Sequence, residues 1–587
     1  MNRRTAAQRF RSLDHSGYAK KASRLRALNY EVKRPKGKPP HIEFQVFQPK
    51  SEKQVPAGTV ARGNATCPAC ERVLSVDRVR VHLRQQRGGA DVIFDKEGNR
   101  IAGAFLLGIV TLKDDATGRQ YRMTTGRDYE AAWKAQKAVA KLANLKLPNG
   151  LNLIPDEPLP PQGTLGFRVQ LYGMSQWSDL FTARQKLALL TLGEALVRAD
   201  TLPEAKELAA LGLSRLTDIC NASCRWESSK TQVRNLFTRQ AIPIVWDFAE
   251  PGVFAGQAGD FATTLATMAE VIDAIPRELG VGQVQIADAC SSSLPDDSVA
   301  LWFTDPPYYD AIPYSDLSDF FFVWLKRILP AHLLLRDPFY SRNPLTPKTA
   351  EIVQDETKRF DGGPKDRTFF EKMMARAFTE GRRVTSDASI GSVVFAHKTT
   401  EGWEALLSGV VKGGWVVTGS WPIATESGTR LRARESAALA TSVHLVCRPR
   451  SEEAEIGDWG EIFKELPNRI GDWIERLSAE GIRGADLIFA CIGPAMELYS
   501  RYSKVEDAEG REIPLGGDPE AVEPYKRGFL AYVWETVGRI ALEQILGTAE
   551  ARARNGAAGA LEEDARLTAL FLWTIQSTAV DLTSKRK

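Results

Sequence analysis

Residues 299–329 read "VALWFTDPPYYDAIPYSDLSDFFFVWLKRIL", and this stretch narrows the possible folds more than any other. An apolar run stops at an acid and two prolines. Proline has no amide hydrogen to give a strand ladder, so a strand ends at Asp305. Beyond the turn, Ser and Asp precede apolar residues at helical spacing, which predicts a helix. Strand, rigid polar turn and helix in that order belong to an α/β sheet. In such sheets ligands gather at the carboxyl ends of the strands, where this turn falls.

The pattern continues on both sides. "VGQVQIADA" (281–289), "SIGSVVFAHKT" (389–399), "WVVTGSWPIA" (415–424) and "TSVHLVCRPR" (441–450) have strand composition, and "GWEALLSGVVKGG" (402–414) has helical spacing. We expect an α/β domain over 281–450. A mainly helical region follows over 451–587, with "AYVWETVGRIALEQIL" and "RLTALFLWTIQST" as amphipathic helices. Upstream, a basic region spans 1–146. Its stretches "RVRVHLRQQRGGADVIFD", "AFLLGIVTL" and "RQYRMTT" alternate as short strands do, and "DYEAAWKAQKAVAKLANL" is helical in spacing. Residues 147–163, rich in Pro and Gly, mark a linker. A mixed region over 164–280 has a helix in "TARQKLALLTLGEALVRA" and a strand in "AIPIVWDFAE".

With 43% hydrophobic and 26% charged residues, the chain has the composition of a globular protein rather than a disordered one. No apolar run is long enough for a bilayer, and the N-terminus lacks a secretory apolar segment. Seven cysteines in 587 residues do not make a disulfide scaffold, which points to a reducing cytoplasm. The net charge of +4 is unevenly spread, because residues 1–90 are crowded with Arg and Lys. That bias suits a polyanion such as DNA, or else forms a solvated face.

The turn has its own chemistry. The Asp305 carboxylate and the Pro306 carbonyl are both acceptors, and together they can take the two N–H bonds of one amino group. Pro306 and Pro307 pre-set the backbone, so little freedom is lost on binding. Tyr308 can stack on the ring that carries the amine. This set suits the exocyclic amine of a nucleobase turned out of its stack.

With these residues, "DPPY" after an apolar strand resembles the catalytic motif of S-adenosylmethionine-dependent amino-methyltransferases. The longer string resembles the large adenine-specific DNA methylases with a zinc-ribbon insertion. So do "IPDEPLPPQGTLGFRVQLYGMSQWSDLFTARQ" (154–185), "WDFAE" (246–250), "RESAALATSVHLVCRPR" (434–450) and "GADLIFACIGPAMELYSRYSKVE" (484–506). The resemblance implies the C-terminal part of a class I, Rossmann-like methyltransferase sheet, with a basic N-terminal insertion domain and a helical C-terminal region. It implies that Asp305, Pro306, Pro307 and Tyr308 are catalytic and that Asp288 contacts the cofactor's adenine. It implies DNA as partner and N6-adenine as target. N4-cytosine in DNA, adenine in RNA, and a non-catalytic DNA-binding or scaffolding role stay open.

The family's Gly-rich cofactor loop has one candidate, "FAGQAG" (254–259), with Gly256 and Gly259. Between Gly259 and Asp305 there is room for one helix and two strands, but not for a further strand–helix unit of about 30 residues. The alternative is a loop capping a helix. Either a second polypeptide supplies the cofactor-binding half, or the reading frame is truncated, because the resemblance begins inside a domain. "CPAC" gives Cys67 and Cys70 the spacing of half a zinc knuckle, with His82 a candidate third ligand. Arg430, Arg432 and Arg434, in "TRLRARES", are candidates for phosphate contacts, against a solvated loop.

Overall fold

A computed structural model describes residues 26–37, 40–112, 118–228, 230–276, 280–329, 332, 335, 337–397, 399–423, 442–480, 482, 487 and 490–546. The chain forms two units. One comprises residues 1–284 with 313–348, the other 285–312 with 349–587. Among the described residues no helix is long and apolar enough to cross a membrane.

The first unit opens with an antiparallel hairpin, β1 (Ala27–Lys33) with β2 (His41–Phe47). Three short strands follow, β3 (Val60–Ala61), β4 (Asn64–Thr66) and β5 (Val73–Leu74). "RVRVHL" is not a strand. The Ser75 hydroxyl accepts the Arg78 amide hydrogen and caps helix α1 (Val76–Arg84), which buries Val79. The alternating valines that looked strand-like lose to the cap and to burial of one helical face. Next come the pairs β6 (Val92–Phe94) with β7 (Arg100–Gly103) and β8 (Ile109–Leu112) with β9 (Arg119–Arg122). Helix α2 (Gly126–Leu142) follows, as its spacing predicts.

Residues 147–163 lie within this unit and are packed rather than loose. The Leu159 amide donates to the Ser175 carbonyl and the Trp177 amide to the Glu157 carbonyl. Pro158 stays exposed while Glu157 and Leu159 are buried, the arrangement a proline tolerates on an edge. Helices α3 (Ala183–Arg198) and α4 (Pro203–Ile219), the pair β10 (Arg225–Glu227) with β11 (Gln232–Arg234), and α5 (Phe261–Ala274) complete this part. "AIPIVWDFAE" forms no strand beyond single bridges at Ile242 and Phe248.

Helix α6 (Tyr314–Ile328), predicted by the spacing after the turn, also belongs to the first unit. It brings Lys326 and Arg327 to the buried Glu157, at 2.5 Å and 2.9 Å. Arg327 also donates to the Asn152 carbonyl, so the proline-rich segment is clamped to this helix. Burial pulls the Lys326 pKa down and Glu157 opposes it. Glu157→Ala would leave two buried cations side by side. We expect a loss of about 3 kcal/mol or more in urea unfolding; a loss under about 1 kcal/mol would show that the clamp adds little.

The second unit is built on a four-stranded sheet of β12 (Val299–Thr304), β15 (Thr385–Phe395), β16 (Trp415–Ile423) and β17 (Ser442–Pro449). The order is β12-β15-β17-β16. β12 is parallel to β15, and β17 runs antiparallel to both β15 and β16. A small hairpin, β13 (Asp355–Phe360) with β14 (Gly363–Lys365), leads into α7 (Arg367–Val384), and α8 (Thr400–Lys412) joins β15 to β16. Beyond the sheet lie β18 (Ile456–Asp458), α9 (Trp459–Ala479), α10 (Ile492–Ser500), β19 (Lys504–Glu506) and α11 (Phe529–Leu546). Their apolar faces share one core with the sheet, centred on Phe378, Trp403, Trp415, Leu466 and Phe529. Residues 566–578, expected as a further helix, lie outside the described residues.

The strand expected over 281–289 does not form. Residues 281–287 are irregular and exposed, and Asp288 makes a single bridge to Ser291. A lone extended segment leaves its amides and carbonyls unpaired, and no described strand lies beside this one.

Candidate active site

β12 delivers Asp305 to the carboxyl end of the sheet, and Pro306 and Pro307 end the ladder there, as their chemistry requires. Asp305 is exposed. Among the described residues neither its carboxylate nor the Pro306 carbonyl has a protein partner. Two acceptors are thus left together at a strand terminus. Tyr308 is half-buried, with its ring edge-to-face on Phe395 at 5.3 Å between centroids.

The turn is fastened from below. Tyr309 is buried and holds a left-handed backbone, φ 54°, which costs a non-glycine residue free energy and needs other contacts to hold it. Its amide donates to the Pro307 carbonyl and its carbonyl accepts from the Gln354 amide. Its hydroxyl donates to Glu401 at 2.9 Å, and its ring meets Phe370 and His397 edge-on. Burial and the Glu401 carboxylate raise the phenol's pKa, so it stays a donor.

His397, just past the end of β15, is buried. The Thr399 amide donates to its Nδ1 at 3.2 Å, which places the proton on Nε2, facing Asp310 at 2.9 Å. Thr399 also caps α8 through the Gly402 amide. A Cβ at Gly402 would run into the His397 imidazole, so only glycine lets α8 start this close. The termini of β12 and β15 are thereby tied together beneath Asp305. The sequence treats "AHKT" only as strand. Its one legible signal was a histidine followed by hydroxyl residues at the carboxyl end of a strand.

The other predicted residues have local roles of their own or lie outside the described residues. Asp288 is half-buried and accepts the Cys290 amide at 2.9 Å. Gly256 and Gly259 are in the first unit, in a turn that no strand precedes. Asp260 takes the Gly256 amide and caps α5, and a Cβ at Gly259 would meet Pro251 at 2.5 Å. The turn has the geometry of a helix cap. Arg430, Arg432 and Arg434 lie outside the described residues. Their flanking residues Ile423 and Ser442 pair at the end of the sheet that carries Asp305.

Cys67 and Cys70 sit in the turn between β4 and β5. The amides of Cys70 and Ala69 point at the Cys67 sulfur and lower its pKa, as a metal-binding thiolate needs. Among the described residues no group of three or more His, Cys, Asp or Glu side chains could hold a metal, so these do not complete a tetrahedral zinc site. Burial moves the thiols inside the fold the opposite way, Cys220 well up, Cys290 to about 11 and Cys224, Cys447 and Cys491 to about 12. Brief iodoacetamide treatment at pH 8 should therefore label Cys67 first, read by peptide mass spectrometry, because the thiolate is the nucleophile. Faster labelling of Cys290 would contradict this order.

A cavity of about 980 Å³ lies within the first unit, lined in part by Tyr121, Trp226 and Trp246. Of its lining cations, Arg122 and Arg184 are already paired, with Asp128 and Glu250. No family model, curated protein or solved structure matches the chain.

Proposed function

We propose that this chain is the catalytic half of a DNA methyltransferase acting on the exocyclic N6 amine of adenine, with S-adenosylmethionine as methyl donor. The observation that carries the reading is the pair of unpartnered acceptors, Asp305 and Pro306, fixed at the carboxyl end of a strand beside a half-buried tyrosine. Strand order lends support. Three parallel strands, with one antiparallel strand between the last two, are what the C-terminal side of a class I methyltransferase sheet would have.

Asp305 and the Pro306 carbonyl accept the two N–H bonds of the amine, and Tyr308 stacks on the ring. Holding both bonds turns the nitrogen lone pair out of conjugation and toward an electrophile, so positioning replaces a strong base. The Asp310–His397 pair and the Tyr309–Glu401 hydrogen bond keep the acceptors in place. S-adenosylmethionine would supply the methyl group. Of the residues expected to hold it, Gly256 donates its amide to the Asp260 carboxylate that caps α5, and Asp288 accepts the Cys290 amide.

The test is to delete the reading frame from its native cell and quantify modified nucleosides in the DNA by mass spectrometry. Loss of N6-methyladenine, restored by the wild-type gene, is expected. Loss of N4-methylcytosine would move the target to cytosine, and unchanged DNA would overturn the reading.

A further inference from the structure

We propose that the cavity of about 980 Å³ in the first unit binds a small planar aromatic molecule carrying one anionic group, a carboxylate or a phosphate. Small-molecule sites are mostly apolar hollows of about 300 to 1,000 Å³ with a few polar groups aimed inward, and this one is built that way. One wall is a face of the β8–β9 hairpin. Arg119 and Tyr121 are two residues apart on β9, so their side chains share a face. Leu112 and Val110 stand opposite them in register on β8 and lie on the same face. All four line the cavity, and Val110 and Leu112 leave apolar surface bare beside the two polar groups.

The anionic group follows from Arg119. Its Nε donates to the Thr231 carbonyl at 3.1 Å and its Nη2 to the Gln257 side-chain oxygen at 3.0 Å. Both acceptors are neutral. Among the described residues no carboxylate pairs with this guanidinium, and its Nη1 keeps its donors for a ligand. Thr231 holds φ 51°, a left-handed backbone that a branched residue rarely adopts, and in that conformation its carbonyl meets Arg119. The Tyr121 hydroxyl has no partner among the described residues and is a second donor. Burial raises its pKa, and Arg119 and Arg26 pull against that rise with no carboxylate among the charges it feels. The acids on the wall act elsewhere. Glu250 pairs with Arg184, Asp91 accepts the Ala183 amide, and Asp247 is not among the groups felt at Tyr121.

The aromatic body follows from the rings. Trp226 meets Tyr121 edge-to-face at 6.3 Å, and Trp246 meets Tyr172 in the same way at 5.5 Å, so both indoles stand in fixed orientations on the wall. Fixed rings favour a flat π system, and a rigid ligand loses less freedom on binding than an alkyl chain does. The site does not depend on methyl transfer, and its test reads no methylation.

The test is fluorescence titration of the purified full chain with two dyes. One is 8-anilinonaphthalene-1-sulfonate, an aromatic anion, and the other is N-phenyl-1-naphthylamine, the same ring system without the charge. We expect saturable binding of the sulfonate that Val110→Trp, which fills the cavity, abolishes. Arg119→Gln should weaken the sulfonate about tenfold and leave the amine unchanged. Tyr121→Phe should weaken the sulfonate about threefold, again sparing the amine, and decides the matter where circular dichroism shows Arg119→Gln to be unfolded. Binding only at millimolar dye, binding that survives Val110→Trp, or full sulfonate affinity in the folded Arg119 and Tyr121 variants would each overturn the site. Decanoate displacing the sulfonate at equal concentration would overturn the aromatic ligand in favour of an aliphatic one.

Discussion

Asp305→Ala is expected to cut methyl transfer to DNA by about a thousandfold, with DNA affinity and thermal stability nearly unchanged. The carboxylate touches no described protein group and is exposed, so its removal leaves no buried partner orphaned and costs the fold under about 0.5 kcal/mol. What it removes is one of two acceptors that fix the amine, and that contact matters only when the target base is in place. Asp305→Asn makes the comparison sharper. The amide keeps one acceptor but adds donors toward a group that is itself a donor, so a loss of similar size is expected. The measurements are N6-methyladenine formed in cells carrying each allele, and DNA binding by the purified chains. Equal loss of transfer and of DNA binding from Asp305→Ala would sink the assigned role.

Trp415→Ala should cost the second unit about 3–5 kcal/mol in urea unfolding, without a change in the denaturant slope. Trp415 is fully buried and stacks on Trp302 with ring centroids 5.0 Å apart and 16° between planes. Its indole donates to the Phe378 carbonyl at 2.9 Å. The substitution opens a large cavity and removes the indole's hydrogen bond to that helical carbonyl. Trp302 would lose its stacking partner, so the effect should reach β12 and the Asp305 turn as faster amide exchange over 299–304. Trp415→Phe keeps a ring and loses the donor, for which about 1–2 kcal/mol is expected. A loss below about 1.5 kcal/mol for the alanine variant would mean the core collapses around the gap.

How much was legible can be argued from a few residues. The turn at Asp305 was readable because its causes are local. Two prolines stop a ladder wherever they stand, and Phe320, Val323 and Trp324 repeat at helical spacing whatever lies around them. Helices α2, α3, α5, α8 and α11 were readable for the same reason.

Two kinds of feature were not readable. "RVRVHL" and "VGQVQIADA" have the composition of strands, but a strand exists only beside another strand. The first yielded to the Ser75 cap and burial of Val79, the second to the lack of any described neighbour. The fastening of the site was also hidden. His397 and Asp310, and Tyr309 and Glu401, lie far apart in the chain, and only the pairing of β12 with β15 brings them together. The proline-rich stretch at 147–163 looked like a linker until α6 brought Lys326 and Arg327 to Glu157.

The sequence by itself determined where the backbone must turn and what chemistry the turn presents, because Asp305, Pro306, Pro307 and Tyr308 are adjacent and their conformations are locally restricted. The tertiary structure alone decided what holds that turn rigid, since that depends on pairings between residues distant in the chain.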